Sequence, residues 1–162
     1  MSHDPTIERH ILLLIDVVNG KPIKEPVHVA DLGDGRFRLL YSPGLVQGIA
    51  AGDEFRLADD DGRFEVLSRA GNLAVQVFSS GPVGELRAEL ADRVARLGGT
   101  LDGAIERGPA FTVPFVAGFA AVEAVLNQWV EEHPDWEWYY GNVYRTADGV
   151  TPLNWWLPNG GA

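Results

Sequence analysis

The 162-residue chain contains no cysteine. That single absence excludes disulfides, thiol nucleophiles, iron–sulfur clusters and cysteine-ligated zinc, and it fits a reducing compartment. Lysine is nearly missing too: only Lys21 and Lys24 are present, and the arginines stand singly. Binding a phosphate backbone requires clustered cations, so no direct nucleic-acid partner is expected. The densest apolar run, over 11–15, falls far short of a bilayer span and is not followed by a small-residue cleavage site. These absences together predict a cytoplasmic protein with no membrane contact.

The spaced motifs of catalysis and cofactor binding are also lacking. His3, His10, His28 and His133 show no His-x-Glu or His-Glu-x-x-His spacing, and no Gly-x-Ser-x-Gly elbow occurs. The glycine-rich stretch 44–52 contains neither Gly-x-Gly-x-x-Gly nor the Gly-Lys-Ser/Thr pair that cradles phosphates. No catalytic residue, metal site or cofactor is assigned from the sequence.

What is present is an ordinary globular composition. Hydrophobic residues make up 46% and charged residues 22%, away from the signature of a disordered chain. The net charge is −10, divided as −4 over residues 1–75 and −6 over 76–162. An acidic surface keeps a protein soluble, and it also steers a basic partner toward it.

Along the chain, the aliphatic stretch Ile7–Val18 reads as a buried strand ending at Asn19-Gly20. The following Lys-Pro-Ile-Lys-Glu-Pro segment reads as a connector, because Pro22 and Pro26 cannot donate to a ladder inside a central strand. Strands over 27–32 and 36–41 flank Gly33-Asp34-Gly35, and Asp-Gly between alternating runs is a strong hairpin signal. Strands over 54–58 and 63–68 repeat the device around Asp59-Asp60-Asp61-Gly62, with Phe55 and Leu57 opposite Phe64 and Val66 as inward pairs.

The periodicity changes after residue 70. Leu73, Val75 and Val77 alternate as in a strand, and a helix over 84–97 carries Leu86, Leu90, Val94 and Leu97 as one apolar stripe. Its other face pairs Glu89 with Arg93 and Asp92 with Arg96 at i,i+4. Strands over 100–106 and 110–115 lie either side of Arg107-Gly108-Pro109. A second helix over 117–132 carries Phe119, Val122, Leu126 and Trp129, Pro134 follows its end, and an aromatic strand spans 136–144. The expected fold class is α+β. A β-rich subdomain of about five antiparallel strands (1–70) packs with a ferredoxin-like βαββαβ subdomain (71–145), and an aromatic tail (146–162) follows. Residues 1–6 should fray and Gly160-Gly161 should stay mobile, while Trp155 and Trp156 should pack on the body or on a partner.

Within 25–55, Glu25-Pro26-Val27, Gly35-Arg36-Phe37-Arg38, Ser42-Pro43-Gly44 and Gly48-Ile49-Ala50-Ala51-Gly52-Asp53-Glu54-Phe55 occur in that order. In this order the chain resembles a family of small bacterial proteins described as a domain of unknown function, the 4265 family. The resemblance rests on an Ala-x-Gly-Asp turn, here Ala50, Gly52 and Asp53. It implies a β portion followed by alternating strands and helices, and it implies no activity, cofactor or catalytic residue.

Asp53 reads as an ordinary turn carboxylate accepting backbone N–H bonds. Asp59, Asp60 and Asp61 lack the alternating ligand spacing of a calcium loop and read as a solvated hairpin tip or a protein contact. Glu131, Glu132, Asp135 and Glu137 surround Trp136 and Trp138. That mixture suits a surface for a basic target, whereas strand alternation would place Trp136, Trp138 and Tyr140 together on an inner face. Aromatic stacking on a sugar, with two carboxylates as a glycosidase pair, is a third reading of the same residues.

The leading expectation is a non-catalytic protein-binding protein, an immunity-type inhibitor that occludes a basic bacterial toxin domain. Asp59, Asp60, Asp61, Glu131, Glu132, Asp135 and Glu137 would steer the partner, and Trp155 or Trp156 would anchor it. The alternative is a small-ligand sensor or regulatory domain, with an unrecognised hydrolase behind it.

Overall fold

The structure is a computed structural model that describes residues 7–105 and 108–158. The expected frayed start, His3, the Glu106-Arg107 part of the second turn and the terminal Gly160-Gly161 lie outside the described residues. The elements run β1 (Ile7–Val18), β2 (Lys21–Gly33), β3 (Arg36–Leu39), β4 (Glu54–Leu57), β5 (Phe64–Ser68) and β6 (Asn72–Ser79). Then come α1 (Leu86–Ala95), β7 (Thr100–Ile105), β8 (Gly108–Pro114), a single 3-10 turn (Phe115–Ala117), α2 (Phe119–Glu132) and β9 (Trp136–Tyr140).

The first five strands form one sheet in chain order, each antiparallel to the next. Asn19 and Gly20 take positive φ (53° and 76°), as do Asp34 and Gly35 (55° and 75°), the backbone that tight hairpin turns demand. Ile11, Leu13, Val27, Val29, Phe37, Leu39, Val46, Ile49 and Phe55 bury one face of this sheet. Phe55 sits opposite Val66 and Leu57 opposite Phe64. Phe55 is fully buried, but Leu57 at the strand's end is 41% exposed.

The connector expected at Lys21–Pro26 is instead the first half of β2, paired with β1 from Val18↔Lys21 onward. His28 gives its carbonyl to the Leu40 N–H on the β3 side, at 3.0 Å. By strand alternation Pro26 and Pro22 face that same side. β3 pairs only from Val29 onward, so the missing proline donors point where no strand needs them.

The last hairpin folds back onto the first strand. Gly62 accepts the Leu14 N–H at 2.9 Å. At its φ of +93°, an added Cβ would lie 2.8 Å from the Leu12 carbonyl oxygen. Only glycine permits this approach.

The second sheet has the order β7-β8-β6-β9, with every neighbouring pair antiparallel. Leu73, Val75 and Val77 of β6 face α1 and α2 and join Leu90, Val94, Val122, Leu126, Trp129 and Trp136 in one core. Each such side chain contributes about 1.5–3 kcal/mol by leaving water. The alternate residues meet the first half of the chain: Gln76 donates to the carbonyls of Val46 and Pro43, and the Asn72 amide donates to Ala51. This sheet is therefore covered on both faces, which explains the buried run along β8.

The helix ends differ from the sequence reading. α1 is shorter than 84–97, although Leu90 and Val94 are buried as the stripe requires. Gly118 at φ 85° separates the 3-10 turn from α2, so the second helix starts at Phe119 rather than 117. Arg93 pairs with Glu89 at 3.5 Å and more closely with Glu132 of α2, at 2.7 Å. β8 starts at Gly108 and ends at Pro114, and β9 ends at Tyr140 rather than 144. No helix among the described residues is long and apolar enough to cross a membrane.

Candidate functional site

The acidic positions singled out above fall into two groups on different sheets. At the β4–β5 tip, Asp59 accepts the N–H groups of Asp61 and Arg63 and pairs with the Arg63 guanidinium at 3.0 Å. The Arg63 hydrogen bond is the main force holding its carboxyl below the usual carboxylate range. Asp60 gives its carbonyl to Lys24 at 3.4 Å, and Asp61 lies 3.5 Å from Arg63. This tip is exposed, and its own cations partly neutralise it.

The second group is less compensated. Residues 108–144 hold Glu123, Glu131, Glu132, Asp135 and Glu137 and not one lysine or arginine. They belong to α2, β9 and the turn between them. Glu132 is paired with Arg93. Glu131, Asp135 and Glu137 are exposed and, among the described residues, make no salt bridge. β9 is an edge strand. Gly141 donates to Ala74 and Ser80 donates to the Asp135 carbonyl, so odd-numbered backbone groups face β6. The backbone groups of Trp138 and Tyr140 point outward, the position that accepts an added strand.

Strand alternation also sorts the aromatic residues. Trp136 is 3% exposed and stacks edge-to-face on Trp129, whereas Glu137 and Tyr139 are exposed on the other face. Trp138 and Tyr140 face α2 and stop short of full burial. The Trp138 indole N–H donates to Asn127 Oδ1 at 2.9 Å, and the Tyr140 hydroxyl donates to Glu123 Oε2 at 3.0 Å. Their rings meet at 82° with centroids 4.8 Å apart. Burial first, and then the bond to Glu123, pushes the Tyr140 hydroxyl above its ordinary range. With Gln47, Tyr144 and Gly149 these residues line a cavity of about 510 Å³.

Glu123, Asn127, Tyr144 and Gln47 escaped the sequence reading. The available signal was a single charged residue, Glu123, inside the otherwise apolar Phe119–Leu126 run, four residues before Asn127. Its alignment with Trp138 and Tyr140 depends on how α2 lies against β9.

Trp155 and Trp156 pack within the chain. The Trp155 indole donates to the Asn142 carbonyl at 2.8 Å and its ring lies 5.8 Å from Phe115, while Trp156 meets Phe119 at 5.1 Å. Both remain partly exposed.

A second cavity, of about 380 Å³, opens between the sheets and is lined by Glu25, His28, Tyr41, Ser42 and Asp102, among others. The Glu25 carboxylate accepts the N–H groups of Gly44, Leu45 and Val46 at 2.9–3.0 Å, so Glu-Pro-Val and Ser-Pro-Gly meet here. Asp102 sits where the β7–β8 register shifts between Leu101 and Gly103. It accepts the Ser42 N–H at 2.8 Å and the Thr112 hydroxyl. That hydroxyl's only proton goes to Asp102, so the Ser42 hydroxyl, 2.6 Å away, donates to Thr112. Ser42 is 4% exposed. It is a structural link rather than a free nucleophile. His10 and His28 face each other across β1 and β2 with Nε2 atoms 3.0 Å apart.

Asp53 does what a turn carboxylate is expected to do. It accepts N–H bonds from Ala50 at 3.0 Å and Ala70 at 2.9 Å, and Arg69 lies 3.3 Å away. Burial pushes its carboxyl upward against the downward pull of those partners. Among the described residues no group of three or more His, Asp or Glu is placed to hold a metal ion.

No curated protein matches the chain. A solved structure described as a novel crystal structure of a hypothetical protein from Neisseria gonorrhoeae shares the fold, with a TM-score of 0.61 at 14% identity. The match covers 86% of this chain and 96% of that one. The family model for a domain of unknown function, DUF4265, matches residues 25–138. That stretch holds β3 to β8, both helices and parts of β2 and β9, from Glu25 at the cleft to Trp138 in the aromatic pocket, and the chain belongs to the DUF4265 family.

Proposed function

We propose that the protein is a non-catalytic binding protein for a basic protein partner, an immunity-type inhibitor that neutralises a toxin domain by occlusion. The observation that supports this best is the set of acids without a salt bridge among the described residues, Glu131, Asp135 and Glu137, on α2, β9 and the turn between them, beside an aromatic pocket at an edge strand. Interfaces draw most of their energy from a few aromatic anchors, and complementary charge sets the rate of encounter. In this reading Glu131, Asp135 and Glu137 steer. Asp59, Asp60 and Asp61 form a weaker second contact, because Arg63 offsets them. Trp155 and Trp156 hold the surface up from beneath, as their packing on Phe115 and Phe119 suggests. A cytosolic location belongs to the same proposal.

The test is capture of the tagged protein's partners from native lysate at low and raised salt. A stoichiometric basic protein, retained at low salt and lost at high salt, is the expected result. Lysine substitutions at Glu131, Asp135 and Glu137 should then slow its association about ten-fold or more. Unchanged association would reject this surface.

A second reading, a small-ligand sensor, draws on the cleft of about 380 Å³ between the sheets. It belongs with the proposal that the C-terminal half is a ferredoxin-like βαββαβ unit, which the order β7-β8-β6-β9 and the two intervening helices support. A dose-dependent rise in melting temperature in a metabolite screen is its test.

A further inference from the structure

We infer that the pocket between α2 and β9 receives the cationic end of one arginine or lysine side chain from the basic partner, an assignment that rests on the protein-binding reading above. Glu123 and Asn127 lie one turn apart on α2, and Trp138 and Tyr140 lie two residues apart on β9. Two hydrogen bonds join the pairs like rungs, at 3.0 Å and 2.9 Å. They fix both aromatic rings before anything binds. Tyr139, Tyr144, Gln47 and Gly149 complete the lining, which reaches round the edge of β9.

The chemistry of the lining selects a cation. Aromatic faces are electronegative and attract ammonium or guanidinium groups, most strongly when water is partly excluded. The Glu123 carboxylate adds a full negative charge at the α2 wall, and none of the lining residues is a lysine, arginine or histidine. An anion would find no countercharge there. The outward backbone groups of Trp138 and Tyr140 run along the rim, so a partner segment laid on β9 would carry its side chains to the mouth of the pocket.

The five tryptophans give five indole N–H signals in an ¹⁵N-labelled sample, and Trp138→Phe identifies the one donated to Asn127. The probes are N-acetyl-arginine amide, the uncharged isostere N-acetyl-citrulline amide, and glucose. The arginine probe should move the Trp138 signal saturably. Citrulline and glucose should leave it in place. Glu123→Gln should weaken the arginine titration at least ten-fold, and Tyr144→Ala, at an exposed wall, should weaken it without touching the core. A shift by citrulline or glucose equal to that by arginine overturns the assignment, as does an undiminished titration in both variants. The same variants separate the two levels of the argument. A basic protein captured equally well by Glu123→Gln would leave the protein-binding reading standing and remove the pocket. Arginine binding with no basic protein captured would do the reverse.

Discussion

Gln76, in the middle of β6, donates its side-chain amide to the Val46 carbonyl at 2.8 Å and reaches the Pro43 carbonyl at 3.3 Å. It is 1% exposed, and it ties the helix-bearing sheet to the segment that follows β3. Gln76→Ala leaves two buried acceptors unpaired and a small void. A loss of about 2–4 kcal/mol is expected, measured by urea unfolding with an unchanged m-value. A loss below about 1 kcal/mol would mean that water replaces the amide.

Gly62 closes the β4–β5 hairpin against β1, with an added Cβ 2.8 Å from Leu12 O and 2.9 Å from Leu14 N. Gly62→Ala should cost at least about 1–2 kcal/mol through backbone strain and the forced separation. Amide exchange at Leu14, which donates to Gly62, should accelerate more than exchange at Leu39.

The tail tryptophans give a test in the absence of any partner. Trp155→Ala removes the bond to Asn142 and the contact with Phe115. The partly buried side chain should account for about 1.5–3 kcal/mol of stability in the isolated protein. An unchanged melting temperature would show that its packing within the chain contributes nothing.

Asp148 organises the turn after Tyr144. The Thr151 hydroxyl first, and then the Thr151 and Val150 N–H groups, hold its carboxyl down to about 2, from an ordinary 3.8. A depressed carboxyl contributes its stabilisation in full above the ordinary value and loses it as the pH falls through about 2. Following the side-chain carboxyl signal by NMR, Asp148 should still be ionised at about pH 3, where an unperturbed Asp is mostly protonated. Asp148→Ala should remove the titration and the carboxylate that accepts the Val150 and Thr151 N–H groups, and so disorder those amides.

Much of the fold was legible because its signals are local. Asp34-Gly35 and Asp61-Gly62 mark hairpins by backbone preference alone, and the α1 and α2 stripes require only a period of 3.6. The Lys21–Pro26 segment misled because a proline's effect depends on which way its nitrogen faces, and that follows from where β3 begins. The candidate site was half visible. The acids and tryptophans of 131–138 stand together in the sequence. Glu123 and Tyr140 become partners only through helix–strand packing, and Asp102 meets Ser42 only through a register shift in β7.

The family match ends at residue 138, between the two aromatic residues that wall the pocket. Glu123, Asn127 and Trp138 lie within the matched region, whereas Tyr140, Tyr144 and Gly149 come from the stretch beyond it. The α2 side of the pocket thus lies within the matched stretch, whereas the β9 side is divided by its end. That later stretch also supplies Val143 to the helix-bearing core and packs Tyr140, Trp155 and Trp156 against it, so replacing 139–158 would disturb the core together with the pocket. Pocket lining and core are thus coupled through the C-terminal stretch: a change at one is felt at the other.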